Sequence, residues 1–178
     1  MTTVGYRGCL AKFVGRVLSA VLLSSLILHA VPVNAAITAS SFAPKVDFAT
    51  DSGPIGVAIG DIDGDNQPDL AVSNLDPSVS VLRNTSTTGS VSFDPKVDLN
   101  TATGPYGVAI ADIDGDGKSD LAVTIHGDGT GTTVSVFRNT STTGSVSFEA
   151  GVSFPTGNGP LGIAAGDIDG DGDRKSVV

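Results

Sequence analysis

Aspartates recur at a fixed spacing in this sequence, and the spacing suits the chemistry of a hard cation. Carboxylates occupy positions 1, 3, 5 and 9 of a segment that begins at Asp61 and of a second that begins at Asp112. A third copy begins at Asp167 and has aspartates at positions 1, 3, 5 and 7. Calcium takes about six to eight oxygen ligands from carboxylates, carbonyls and water, so a short loop with alternate inward-facing aspartates can wrap it. The pattern predicts a Ca²⁺ site in each loop.

The predicted ligand set follows one plan. Position 7 changes from Gln67 to Lys118 to Asp173, so we expect the first two of these to bind through the backbone carbonyl. Glycine at position 4 lets the backbone bend between ligands. Position 9 of the third loop is Lys175, which predicts a weaker third site. The predicted metal ligands are Asp61, Asp63, Asp65, Gln67, Asp69, Asp112, Asp114, Asp116, Lys118, Asp120, Asp167, Asp169, Asp171 and Asp173.

The loops match calcium in a strand-flanked site better than they match other common metal sites. An EF-hand has Gly at position 6 and Glu at position 12 between helices, whereas position 12 of the first loop is Val72. Magnesium demands a tight octahedron, and zinc prefers His or Cys, which the loops lack. Solvated Asp-Gly turns remain as the alternative, and the recurrence of the loop inside longer repeats disfavours them.

The loops are embedded in repeats with a period near 50 residues. Gly-Pro-x-Gly precedes each loop, and the run RNTSTTGSVSF occurs twice, from Arg83 and from Arg138. Extra residues of the second repeat lie around 126–131. Four strands are predicted in the first repeat, at about 57–60, 70–74, 79–83 and from 91–93 towards 98. This predicts an all-β fold, a partial β-propeller of four-stranded antiparallel blades with two complete repeats and the start of a third. A β-sandwich is the alternative, but its strands need not resemble one another.

The first 35 residues have the three parts of a secretory signal peptide. Arg7, Lys12 and Arg16 precede an apolar run over 17–31, and Val33 and Ala35 supply the small residues at −3 and −1 of a cleavage site after Ala35 or one residue later. The run of about 15 residues is shorter than the ~20 that a spanning helix needs, so an uncleaved anchor is the weaker alternative. We predict a signal helix, a secreted or cell-surface product, and no stable membrane insertion after cleavage.

The predicted organisation is a signal peptide over 1–35 and a repeat region over 42–178. The blades are expected at about 42–93, 94–148 and, incomplete, 149–178. A propeller needs about four or more blades to close its ring. We therefore expect the sequence to be a truncated piece of a longer repeat protein.

Composition restricts the partners. The chain carries 19 acidic and 10 basic side chains, a formal net charge of −9, which disfavours nucleic acid as a partner. Cys9 is the only cysteine and lies in the predicted signal peptide. The mature chain would then form no internal disulfide, so we expect bound metal ions to supply the cross-links that stabilise the fold.

The run Gly-Pro-x-Gly-Val-Ala-x-x-Asp-x-Asp-Gly-Asp-x-x-x-Asp-Leu resembles the FG-GAP or VCBS repeat. That repeat is the blade of integrin-α-type seven-bladed propellers and also occurs in secreted bacterial proteins. The resemblance covers about residues 42–173. It implies that each acidic loop joins two adjacent strands of a blade and binds calcium through the aspartates at positions 1, 3, 5 and 9, or 1, 3 and 5 in the third loop.

The sequence contains no nucleophile elbow, zinc helix motif or phosphate loop. We therefore expect a non-catalytic, calcium-binding module, secreted or on the cell surface, that mediates adhesion or binds extracellular protein or glycan. An alternative is a non-catalytic fragment or accessory domain of a secreted carbohydrate-active or other hydrolytic enzyme. A purely structural stalk is the third possibility.

Overall fold

Ten strands and one short 3₁₀ turn account for the regular structure of the described residues. A computed structural model describes residues 44–167 and the backbone of 175–177. The chain divides into two units, 1–45 and 46–178, and all strands belong to the second. The strands are β1 (Pro54–Gly60), β2 (Asp69–Asn74), β3 (Ser78–Leu82), β4 (Val97–Asn100), β5 (Pro105–Ala111), β6 (Asp120–Ile125), β7 (Thr133–Phe137), β8 (Val152–Pro155), β9 (Ala164–Gly166) and β10 (Lys175–Val177). The predicted signal helix lies outside the described residues.

The strands form sheets in the order in which they occur along the chain. One antiparallel sheet has the order β1-β2-β3-β4, a second has the order β5-β6-β7-β8, and β9 pairs with β10. The register repeats as well, because Ala58 pairs with Ala71 and Ala109 pairs with Ala122. The predicted all-β fold with four-stranded antiparallel blades is confirmed. A 3₁₀ turn over Gly127–Gly129 occupies the inserted stretch of the second repeat.

The fourth strand of the first sheet lies later than predicted. Residues 91–93 make only an isolated bridge, from Phe93 to Asn84, and the strand itself begins at Val97. The run after Arg83 folds back on itself instead, because the Ser86 hydroxyl bonds both the amide and the carbonyl of Ser92. The two sheets consequently span 54–100 and 105–155, so each extends past the predicted blade boundary at 93 or 148.

The hydrophobic core lies between the two sheets. Val108 and Ile110 of β5 pack against it, whereas their counterparts in β1, Val57 and Ile59, are 61% and 67% exposed. Blade-to-blade packing of this kind explains why small and β-branched residues dominate β2 and β6. The buried members of the core are Ile62, Ala71, Val79, Val81, Leu121, Val123, Ile125 and Phe137.

A hydroxyl group joins the first sheet to the second. Ser73 Oγ accepts a hydrogen bond from the Gly56 amide at 3.1 Å and donates one to the Tyr106 carbonyl at 2.5 Å. The register of β1 shifts between Pro54 and Gly56, so this amide bonds a side chain of the neighbouring strand. We call the arrangement a hydroxyl joint. It explains the second glycine of Gly-Pro-x-Gly, because a Cβ on Gly56 would lie 2.6 Å from the Tyr106 oxygen.

The hydroxyl joint recurs between the second sheet and the third repeat. Thr124 Oγ1 accepts from the Gly107 amide at 2.7 Å and donates to the Leu161 carbonyl at 3.1 Å. A Cβ on Gly107 would lie 2.5 Å from that carbonyl oxygen. The same pair of hydrogen bonds therefore occurs at the interface of the first and second repeats and at that of the second and third.

Lys96 gives the first sheet a pH-dependent contact. Its Nζ donates to Asp51 Oδ1 at 2.6 Å and also to Asp98. The hydrogen bond from Lys96 and a second from Ser78 lower the pKa of Asp51. The stabilisation is therefore present above the ordinary carboxyl pKa of about 4 and is lost as the pH falls through the lower folded value.

We expect Lys96→Gln to lower the melting temperature by a few degrees at about pH 6 and by less at strongly acidic pH, as Asp51 becomes protonated. Thermal denaturation followed by circular dichroism at both pH values would measure this. The contacts are partly exposed, so the effect should also shrink in high salt. A difference that stays constant with pH would contradict the assignment.

Candidate metal centre

Each acidic loop connects two adjacent strands of one sheet. Residues 61–68 join β1 to β2, and residues 112–119 join β5 to β6. The side chain of Ile62 is 2% exposed and belongs to the core, so the first loop is anchored at its second residue. The strands and this anchor position the carboxylates.

The first loop is shaped by hydrogen bonds from its own backbone. Asp61 accepts from the amides of Gly64 at 2.8 Å and Asn66 at 2.9 Å. Gly64 and Asn66 have φ of 77° and 66°, a left-handed conformation that Gly and Asn adopt more readily than other residues. The backbone therefore bends at position 6 as well as at position 4, where a bend was predicted. The presence of Asn or Gly at position 6 could have predicted this second bend from the sequence.

Three carboxylates converge in the first loop. Ligand atoms of Asp61, Asp63 and Asp65 all lie within 4.8 Å of one another. Two oxygens on opposite sides of a calcium ion, each about 2.4 Å from it, would be about 4.8 Å apart. The donor set consists of hard, charged oxygens, so the residues present fit a calcium ion.

The second loop repeats this geometry. Asp112, Asp114 and Asp116 also bring ligand atoms within 4.8 Å of one another. Asp112 accepts from the amides of Gly115 and Gly117 at 2.8 and 2.9 Å, the distances found at the first loop. Two copies with the same bonds show that the shape follows from the repeated sequence.

The structure places the aspartates at position 9 outside these groups. Asp69 is fully buried, and its two oxygens accept from the backbone amides of Ile62 at 2.9 Å and Asn84 at 2.7 Å. Asp120 does the same with Ile113 and Asn139. Burial raises the pKa of Asp69, and the two backbone hydrogen bonds oppose that shift. Hydrogen bonds to Asn84 and Asn139 thus connect the end of each loop to the start of the RNTSTTGSVSF run. Metal ligation by Asp69 and Asp120 stays a prediction.

The remaining predicted ligands are placed as follows. The side chain of Gln67 bonds Asp65, and Lys118 Nζ donates to the Ser141 carbonyl at 2.9 Å, so both side chains contact protein. Binding through their carbonyls stays a prediction. Asp167 is an exposed residue at the end of the described range, and Asp169, Asp171 and Asp173 lie beyond it.

Comparison with known protein families accounts for the repeats. The model of the FG-GAP-like repeat matches residues 61–123 and 123–175. The chain belongs to the FG-GAP-like repeat family. The first match contains both acidic loops described above, and the second contains the acidic segment that begins at Asp167. No curated protein and no solved structure matches the chain.

The first acidic loop of this FG-GAP-like protein is covered by the following repeat. The Gly144 amide donates to Asp63 Oδ2 at 2.7 Å, and Asn139 Nδ2 donates to the Ile62 carbonyl at 2.8 Å. Asp63 is therefore buried, whereas Asp114 is exposed. This contact joins residues far apart in the chain, so the sequence pattern did not reveal it.

An arginine at the end of the third strand of each sheet contacts the acidic loop. Arg83 Nη1 lies 3.5 Å from both Asp63 and Asp65. Arg138 lies closer, with Nε 2.5 Å from Asp114 and Nη2 2.9 Å from Asp116. The hydrogen bond from Arg138 lowers the pKa of Asp114. Both arginines begin the RNTSTTGSVSF run, which the ligand prediction had not included.

A cleft of about 470 Å³ separates the two loops. Its lining includes Asp61 and Asp63 on one side and Lys118 on the other. Hydroxyl groups supply much of the remaining lining, at Ser119, Ser141, Thr142 and Thr143. Carboxylates, an ammonium group and hydroxyls together suit a polar, hydrogen-bonding ligand.

Proposed function

We propose that this FG-GAP-like chain is a non-catalytic, calcium-binding β-propeller module that acts outside the cytoplasm, secreted or at the cell surface. One observation carries the calcium assignment, the convergence of three carboxylates in each of two loops. The predicted signal peptide supports the location. Among residues 44–167, no helix is long and apolar enough to cross a bilayer.

In this proposal Asp61, Asp63 and Asp65 hold one ion, and Asp112, Asp114 and Asp116 hold the other. The carbonyls of Gln67 and Lys118 and the aspartates at position 9, Asp69 and Asp120, are the further ligands of these two ions. Bound calcium would neutralise carboxylates that otherwise repel each other. Asp63 also bonds the next repeat through Gly144, so an ion in the first loop would stiffen the contact between blades.

The cleft between the loops supports a role in adhesion or in binding extracellular protein or glycan. Its hydroxyls and its charges of both signs provide donors and acceptors at a blade boundary. An accessory domain of a secreted carbohydrate-active or other hydrolytic enzyme would use the same surface. Screening glycans and matrix proteins with and without a chelator would test this part of the proposal.

Calcium should raise the melting temperature of the protein. With a dissociation constant of about 1 mM, usual for extracellular modules, ~10 mM calcium would stabilise the fold by about 1.4 kcal/mol per site. Two sites would raise the melting temperature by about 5–10 °C. Differential scanning calorimetry in calcium and in the same concentration of magnesium would measure the effect.

The matched control for this experiment is the double variant Asp61→Asn, Asp112→Asn, which should lose the calcium response. Both residues bond exposed loop amides, so the variant should still fold. The absence of any shift with calcium, or an equal shift with magnesium, would refute the proposed metal.

A further inference from the structure

The arginines that begin the two RNTSTTGSVSF runs take different positions at the two loops. Arg83 donates from Nε and Nη2 to Asp94 Oδ2 at 2.9 and 2.8 Å and stays 3.5 Å from the loop carboxylates. Arg138 donates to the carboxylates of Asp114 and Asp116 themselves. The equivalent arginines therefore differ: Arg83 lies beside the first loop, whereas Arg138 forms hydrogen bonds with the carboxylates of the second loop.

The acidic residue after each run accounts for the difference. Asp94 follows the first run and binds its arginine closely, whereas Glu149 follows the second run and lies 3.6 Å from Arg138 Nη1. The cover from the next repeat acts in the same direction. Asp63 Oδ2 already accepts from Gly144, whereas Asp114 Oδ2 accepts from Arg138. Because of both features, Arg138 is free to donate to the carboxylates of the second loop, whereas Arg83 is held by Asp94.

We propose that Arg138 is an internal competitor for the cation of the second loop, so that the first loop binds calcium more tightly than the second. This inference rests on the proposed calcium binding. An incoming ion must displace the guanidinium from two of the three converging carboxylates or bind beside a positive charge. Arg83 has less effect because Asp94 neutralises it.

The expected size follows from electrostatics. Repulsion between a guanidinium and a divalent ion a few Å apart in water is equivalent to roughly a tenfold change in dissociation constant. The loop carboxylates near Arg138 are partly exposed, so the aqueous value is the appropriate one. A difference of about tenfold between the loops is therefore expected.

The test is a calcium titration of the full chain followed by the NMR amide signals of Gly64 and Gly115, one in each loop. In the unsubstituted protein the Gly64 signal should reach its midpoint at about a tenth of the calcium concentration needed for Gly115. Arg138→Gln should lower the Gly115 midpoint by about tenfold and leave Gly64 unchanged. Arg83→Gln is the matched control and should shift the Gly64 midpoint by less than about threefold.

A second variant retains the arginine. Glu149→Asp copies the acid of the first repeat and should lower the Gly115 midpoint, because a shorter acid draws Arg138 off the loop. A Gly115 midpoint that is unchanged in both Arg138→Gln and Glu149→Asp would overturn the inference and leave calcium binding intact. If neither glycine responds to calcium in any variant, the calcium proposal fails, and the inference fails with it.

Discussion

Asp69→Asn should destabilise the protein by about 2–3 kcal/mol even when no calcium is present. Asp69 is fully buried, and each of its oxygens accepts from a backbone amide. Asparagine has one acceptor oxygen, so its NH₂ group would face an amide donor and leave it without a partner. A buried unpaired donor costs about 1–3 kcal/mol, and the opposed NH₂ donor adds to that cost. Removing a buried charge offsets part of the loss, since burial raises the pKa of Asp69.

Urea denaturation in the presence of a chelator would measure this change. Asp61→Asn is the matched control, because its acceptors serve exposed amides, and it should change the free energy of unfolding by less than about 1 kcal/mol. In calcium the order of effects differs, since Asp61→Asn should remove the calcium response of the first loop. Equal stability of Asp69→Asn and the parent under chelation would show that Asp69 has no structural role of this kind.

Gly56→Ala should destabilise the protein by about 3 kcal/mol and lower its melting temperature by about 10 °C. The added Cβ would lie 2.6 Å from the Tyr106 carbonyl oxygen and 2.8 Å from Ser73 Oγ. The carbonyl belongs to the backbone of β5, so it cannot move without displacing the second sheet. The substitution therefore breaks the hydroxyl joint and separates the packed blades.

The chain supplies a control at the same position of the third repeat. Among the residues that the structure describes, a Cβ on Gly162 would meet nothing within 4 Å, and neither Gly56 nor Gly162 has a left-handed φ. Gly162→Ala should therefore be neutral, or stabilising by about 0.5 kcal/mol through the unfolded state. Calorimetry of both variants would separate steric contact from a general intolerance of alanine. Similar losses in the two would contradict the hydroxyl joint.

The repeated sequence predicted the larger features well, because they depend on local patterns. The all-β class, the grouping of strands in fours and the position of each loop between two strands follow from the period and from turn residues. The convergence of Asp61, Asp63 and Asp65 also follows from their alternate spacing. These features require only residues that are close in the sequence.

Features that depend on burial and on specific hydrogen bonds, within a repeat or between repeats, were not predictable in this way. The alternation of Val91 and Phe93 is typical of a strand, but the Ser86 hydroxyl closes a local hairpin there instead. Asp69 has the residue type and spacing of a metal ligand. Only the structure shows that it is buried and accepts hydrogen bonds from two backbone amides. The contact of Gly144 with Asp63 spans 81 residues.

The hydroxyl joint has a consequence for how such chains grow. The hydroxyl and the glycine lie on one repeat and the accepting carbonyl on the next, and each of the first two repeats carries the positions needed for both roles. In the second repeat Tyr106 accepts from the preceding sheet while Thr124 donates to the following one. Duplication of one repeat within a gene would therefore create a matched joint at once, without a further substitution. The joint therefore favours the gain or loss of a whole repeat over that of part of a repeat.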